Sequence, residues 1–293
     1  MVVGVDGSEE SDLALGWAAT QAATEGLALV LLTAVSSPAP ESAAWLDAHG
    51  IDHRRLRAQL KEEARALLRR CDARVHATYA DLEIRHDLRF VDPRDALLDA
   101  DTDLLVVGTR GRGTTRRLVL GSVTSTVITH ATSPTVVVRP ENPSGAGCGV
   151  LVGIAGDSGD AAAIDLAFRL AAARGLSVAA CHSLWDVVDV DQPRDIGPDE
   201  LGYDDQRALL TRAVLESTAR YPDVAVQCQL TQGLADERLI LAARNAALVV
   251  VGHRRKPFLN ELIYGSTASR VVEHTRCTAV VVPYREHSVS VEA

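Results

Sequence analysis

Lysine is nearly missing from this chain: Lys61 and Lys256 are the only two in 293 residues, and neither follows a glycine. A Walker-type phosphate loop, which needs a Gly-Lys pair, is therefore excluded. The five cysteines, Cys71, Cys148, Cys181, Cys228 and Cys277, lie far apart and form no CxxC pair. Neither a zinc knuckle nor a disulfide framework is expected, and a reducing compartment is the simpler reading. No apolar run approaches the roughly 20 residues of a membrane helix; the longest is LALVLLTAV, Leu27 to Val35. The opening MVVGVDGS has no basic residue ahead of its apolar positions and soon meets Asp6, so no export signal is expected and a cytoplasmic location is. Positive charge is also short: 30 Lys and Arg against 39 Asp and Glu give a formal net charge of −9, which argues against nucleic acid or an anionic membrane as partner.

What is present fits a globular protein with two cores. The composition is 47% hydrophobic and 24% charged, with both signs interspersed, and 293 residues exceed what one core usually serves. Short β-branched runs alternate with Ala-rich helical stretches, the rhythm of an α/β protein whose parallel sheet is covered by helices. Five strands are expected in each half. In the first they are Met1 to Asp6, Ala28 to Val35, Leu82 to Phe90, Asp103 to Gly108 and Thr135 to Arg139. Runs such as LLVVG and TVVVR suit strands buried on both faces.

The pattern then begins again. VVGVDG from Val2 resembles LVGIAG from Leu151, and Ala14, Ala18, Ala22 and Gly26 correspond to Ala163, Ala167, Ala171 and Gly175. Later, LLVVGTR from Leu104 resembles LVVVGHR from Leu248, and Gly121, Ser122 and His130 match Gly265, Ser266 and His274. A period of about 145 residues is a duplicated domain, far too long for a solenoid repeat. The Pro- and Gly-rich PENPSGAGCG, Pro140 to Gly149, reads as the linker, giving domains 1–140 and 149–284. Val35 to Asp52 and Trp185 to Asp199 are expected as long loops ahead of the second helix of each half.

The stretch VVGTRGRGTTRRLVLGSVTST follows a strand and runs into a helix, with Gly108, Gly111, Gly121 and Ser122 in the pattern G-x2-G-x9-G-[ST]. Gly108 and Gly111 are expected to use positive φ and to let main-chain N–H groups approach a polyphosphate. Gly121, Ser122, Val123 and Thr124 begin a helix whose free amides and dipole suit phosphate oxygens, with the two hydroxyls as further donors or metal ligands. Glycines at such spacing also occur in purely structural turns; the strand before, the helix after and the second copy at Gly252 and Gly265 favour the phosphate reading. Asp6 ends the first strand. In a sheet whose strands reverse direction of winding between the first and the fourth, Asp6 and the glycine loop meet at the switch point, where Asp6 accepts hydrogen bonds from the adenosine end of a ligand. The alternative for Asp6 is a helix cap, a task Ser8 can also fill.

These motifs, VVGVDGS, VVGTRGRG…LGSVTS and SPTVVV, resemble the ATP-binding branch of the universal stress protein family over essentially all of both halves. The resemblance implies two doubly wound five-stranded parallel sheets in the order 3-2-1-4-5, adenine nucleotide alpha hydrolase-like. It also implies ATP held without a covalent bond, commonly with Mg2+ or Mn2+. By position it puts Asp6, Ala34 and Val107 at the adenine and ribose, and Gly108, Arg110, Gly111, Gly121, Ser122, Val123 and Thr124 at the ribose and phosphates. It further suggests that the last strands, Thr135 to Arg139 and Thr278 to Val282, pair.

The second half departs from that pattern. Ala155 stands where Asp6 does and Arg255 where Gly111 does, so one intact and one degenerate site are expected, although Arg254, Arg255 and Lys256 can meet a phosphate in another geometry. Arg112, Arg116 and Arg117 read as a clamp or as a solvated loop. His130 and His274 read as helix-end residues, His182 as a strand residue without metal partners, and GDSG at Gly156 as a helix cap. Three functions remain in view: a nucleotide-dependent regulatory module with an unknown protein partner and a possible homodimer of the two-domain chain; a slow ATPase or nucleotidyl transferase, for which no catalytic base is identifiable; and a nucleotide-free scaffold.

Overall fold

The computed structural model describes residues 1–36, 45, 49, 52–111, 120–140, 149–157, 159–185, 193–254 and 267–284. The linker interior, most of the first expected loop, Arg112, Arg116, Arg117, Arg255, Lys256, Gly265 and Ser266 lie outside the described residues. Contacts divide the chain into two compact units, Met1–Ser133 and Pro134–Ala293.

In the first unit, β1 (Val2–Gly4), β2 (Leu29–Ala34), β3 (Ile84–Arg89) and β4 (Leu105–Gly108) form a parallel sheet in the order β3-β2-β1-β4. Its helices are α1 (Glu9–Glu25), α2 (His53–His76), α3 (Pro93–Leu98) and α4 (Ser122–His130). Small residues set the layer spacing. Ala14, Ala18 and Ala22, one helical turn apart, are fully buried, so α1 lies close on β1 and β4. Gly26 ends α1 at φ 65°, a left-handed cap that glycine adopts without a Cβ penalty. A Cβ on Gly4 would sit 3.2 Å from Leu97 of α3, whereas one on Gly108 would sit 2.7 Å from the Glu10 main chain of α1. The sheet is thus covered on both faces, and β4 is buried throughout.

The second unit repeats the order as β9-β7-β6-β10-β11, all parallel, from β6 (Val150–Ile154), β7 (Val178–Leu184), β9 (Val226–Gln232), β10 (Leu248–Arg254) and β11 (Thr278–Tyr284). Its helices are α5 (Asp160–Arg174), α6 (Asp204–Arg220), α7 (Ala235–Ala242) and α8 (Thr267–His274). Ala163, Ala167 and Ala171 repeat the buried alanine ladder, and Gly175 repeats the left-handed cap at φ 63°.

Two strands extend this sheet. β5 (Thr135–Val138) pairs antiparallel with β11, Val136 opposite Val280, as the resemblance suggested. β8 (Arg194–Ile196) pairs antiparallel with the edge strand β9 inside a stretch expected to be loop. Its sequence, RDI, carries no β signature. Ionic contacts hold it instead: Arg194 reaches Glu200, six residues on, through two hydrogen bonds of 2.8 and 2.6 Å, and Asp195 pairs with the distant Arg238.

Candidate functional site

At the carboxyl ends of β1, β2 and β4 the first unit holds a cavity of about 370 Å3. All ten residues singled out from sequence line it: Asp6, Ala34, Val107, Gly108, Arg110, Gly111, Gly121, Ser122, Val123 and Thr124. Its lining joins apolar side chains, Leu32, Ala34, Leu97 and Val107, to the charged Asp6 and Arg110, glycine main chain and hydroxyls. Sequence reading missed Gly4, Val5, Ser11, Leu32, Pro93 and Leu97. Of these, Pro93 and Leu97 arrive on α3, whose start is written locally: Asp92 caps it by accepting the Arg94 N–H at 2.8 Å, and Pro93 fills the first turn. Two further bonds from the Arg94 guanidinium, both 2.8 Å, hold the Asp92 carboxyl down at about 2.

The turn after β1 settles the question of the cap. Ser8 caps α1, its Oγ accepting the Ser11 N–H at 3.2 Å. Asp6 stands behind it, with Oδ1 accepting the Ser8 N–H at 2.9 Å and the Ser8 hydroxyl at 2.6 Å. Ser11 Oγ accepts the Gly7 N–H at 3.1 Å and donates to the Ser8 carbonyl at 2.9 Å. The Asp6 carboxylate is therefore oriented by its own turn, at the cavity wall.

The glycines of the loop serve closeness rather than unusual dihedral angles, which corrects the expectation of positive φ. Neither Gly108 nor Gly111 lies in the left-handed region. A side chain on Gly111 would collide with the Asp6 carboxylate, one on Gly108 with the α1 main chain, and one on Gly121 would come within 3.2 Å of Arg110 Cα. Gly121 is the N-cap of α4 and offers no side-chain acceptor, so no cap residue takes up the first-turn amides that border the cavity. Thr124 Oγ1 donates to the Gly108 carbonyl at 2.8 Å, buried, and ties α4 to the end of β4; that hydroxyl is a structural tie rather than a free donor. Ser122 is exposed at the rim. Arg110 is mostly buried and lies 3.4 Å from the Glu10 carboxylate, which orients the guanidinium along the wall.

The second unit has a smaller cavity, about 250 Å3, at the equivalent strand ends. Ala155 replaces Asp6, and Asp160, at the position of Ser11, turns its carboxylate back onto the turn. It accepts the N–H groups of Ala155, Gly156 and Asp157 at 2.9, 2.7 and 3.1 Å. Burial pushes the Asp160 carboxyl above its ordinary range, against the pull of those three amides. Tyr284 adds bulk: side chains on Gly159 would strike its ring, Gly252 lies against it, and its hydroxyl donates to Asp157 Oδ2 at 2.7 Å. Burial, and then that bond to an acid, raise the Tyr284 phenol well above its usual value. In GDSG the N-cap is Gly159, whose N–H is taken by Asp157 Oδ1 at 2.8 Å.

The histidines have structural partners. Nδ1 of His130 and of His274 bonds the carbonyl four residues earlier, at 3.0 and 2.9 Å, and Nδ1 of His182 bonds the Ile154 carbonyl at 2.9 Å. Cys71, Cys181, Cys228 and Cys277 are free thiols. Among the described residues no helix is long and apolar enough to cross a membrane.

The sequence pattern of the universal stress protein family matches residues 1–139 and again 149–283. The chain belongs to this family. A universal stress protein of Mycolicibacterium smegmatis is 31% identical, with 96% of both chains covered, and one of Mycobacterium tuberculosis is 29% identical over the same shares. Among solved structures, a universal stress protein from Archaeoglobus fulgidus superposes with a TM-score of 0.69 at 15% identity, covering 97% of each chain. The duplicated α/β architecture is thus a known form of the family.

Proposed function

We propose that the first unit of this universal stress protein binds ATP with Mg2+ or Mn2+, and that the chain acts as a nucleotide-dependent regulatory module of stress response. The observation that carries this reading is that Asp6, the closely packed loop glycines Gly108 and Gly111, and the start of α4, whose N-cap offers no side-chain acceptor, all line one cavity together with Leu32, Ala34, Leu97 and Val107. In this reading Asp6, Ala34 and Val107 border adenine and ribose. Gly108, Arg110, Gly111, Gly121, Ser122, Val123 and Thr124 serve ribose and phosphates, Thr124 through its amide, and the Ser122 hydroxyl is the group that would help hold a metal ion. A bound metal ion would neutralise part of the phosphate charge.

The two repeats, 1–140 and 149–284, are in this reading one working and one degenerate nucleotide domain, in a cytoplasmic protein that pairs as a homodimer. Among the described residues that line the cavity Asp6 is the one carboxylate, and Ser8 already engages it. That favours binding over hydrolysis, because among the described residues no second carboxylate stands there as a base to take a proton from water.

The test is extraction of nucleotide from freshly purified protein, followed by calorimetric titration of stripped protein with ATP and magnesium, with light scattering on the same sample. One equivalent of ATP per chain and the mass of a dimer are expected. Two equivalents would overturn the degenerate second site, and no uptake at millimolar nucleotide would leave the scaffold reading.

A further inference from the structure

The first unit ends in a sheet edge beside a strongly basic helix. Over His53–His76, α2 carries eight Lys and Arg against three Asp and Glu, in a chain whose net charge is −9. Arg57, Lys61, Arg65 and Arg69 recur every fourth residue and so share one face, and all four are exposed. A groove of about 580 Å3 runs beside β3, lined by Lys61, Arg65, Leu68, His86, Leu88 and Phe90. Alternation along the strand sends His86, Leu88 and Phe90 to this same side.

The charge in the groove is held in place yet largely uncompensated. Arg57 and Lys61 lie over the Phe90 ring at 5.1 and 5.9 Å, which orders both side chains without neutralising them. Arg69 pairs with Glu62 at 2.7 Å, and His86 bonds Asp72 at 2.6 Å. Among the described residues Lys61 and Arg65 form no ion pair closer than 4 Å, although Arg65 shares the Glu62 carboxylate's field with Arg69. Among the same residues β3 pairs with β2 alone, so its outer main-chain groups form an unpaired ladder.

We propose that this edge and groove dock an extended acidic segment of a partner protein, which adds a strand along β3. The main-chain ladder selects a peptide, the cations of α2 attract its Asp and Glu side chains, and the half-buried Leu88 and Phe90 receive an apolar residue between them. The surface lies outside the nucleotide cavity, and no residue of the groove lines that cavity.

The experiment is fluorescence anisotropy with the full chain and a short dye-labelled peptide in which glutamates and one central leucine alternate with threonines. Binding is expected at about 0.05 M salt, weakened roughly tenfold at about 0.3 M. It should also fall roughly tenfold or more in the Lys61→Glu/Arg65→Glu variant, both positions being exposed on the helix surface. If that variant melts early, Lys61→Gln/Arg65→Gln gives the same comparison. A peptide methylated on alternate main-chain nitrogens should bind more weakly than its parent. The proposal is overturned if the parent peptide does not bind, if the charge variants bind it as tightly as the native chain, if methylation makes no difference, or if an oligonucleotide of equal charge binds more tightly than the peptide.

Discussion

The turn that follows the first strand is wired differently in the two units. In the first, three side chains divide its polar groups: Asp6 takes the amide and hydroxyl of Ser8, Ser8 caps the helix, and Ser11 takes the amide of Gly7. In the second, the Asp160 carboxylate takes three successive amides by itself, and the strand ends in Ala155 without a carboxylate. Both solutions satisfy the main chain. They differ in where the fixed negative charge lies: at the strand end in one, and on the first helical residue in the other. A duplicated fold can keep its packing while one copy has a cavity-facing acid after the strand and the other an internal one on the helix.

Moving the second unit's residues into the first should have the largest effect. Asp6→Ala combined with Gly111→Arg should weaken ATP binding by at least about 100-fold, roughly 2.7 kcal/mol, because the change removes the acid and fills the cradle. Calorimetry on the variant reads this directly, and an affinity within about threefold of native would show that the difference between the copies does not govern binding.

The reverse dependence is next in size. Asp160→Ala leaves three half-buried amides without their acceptor and should cost roughly 2–3 kcal/mol in urea unfolding, against about 1 kcal/mol for Ser11→Ala in the first unit. Equal losses would mean that solvent replaces the carboxylate and that the two turns are energetically alike.

The smallest expected effect is a difference in sign with pH. The Asp92 carboxyl sits at about 2, below its ordinary 3.8, so its contribution is present above the ordinary value and is lost as pH falls towards about 2. The Asp160 carboxyl is shifted upward, so its titration favours the fold below the ordinary carboxylate value and that gain is lost as pH rises through the raised value. Denaturation curves of Asp92→Asn should therefore flatten between about pH 4 and 2, by a small and salt-sensitive amount because the side chain is well exposed. An unchanged slope would remove Asp92 from the acid response.

The alanine ladders with their closing glycines, the buried strand runs and the glycine-rich stretch after β4 were legible because each is a local pattern repeated twice. What those glycines are for was not legible. Gly108 is needed because the main chain of Glu10 comes down on it, and Gly111 because it meets Asp6, distant pairings that no spacing within the loop encodes. The same holds for β8, whose Asp195 depends on Arg238, and for Tyr284, whose ring reaches the turn through Asp157. Asp160 was hidden for another reason: an acid at the start of a helix reads as ordinary first-turn chemistry, and only its backward rotation distinguishes it.

One strand changes what counts as a piece of this chain. By repeat, Thr135–Val138 is the last element of the first half, yet it pairs with β11 of the second, and Val136 and Val137 are wholly shielded from water. A fragment begun at Gly149, where the second repeat starts, would strip β11 of that neighbour and bare a hydrophobic ladder prone to self-association. The join between the two copies is therefore no place to cut the second sheet free.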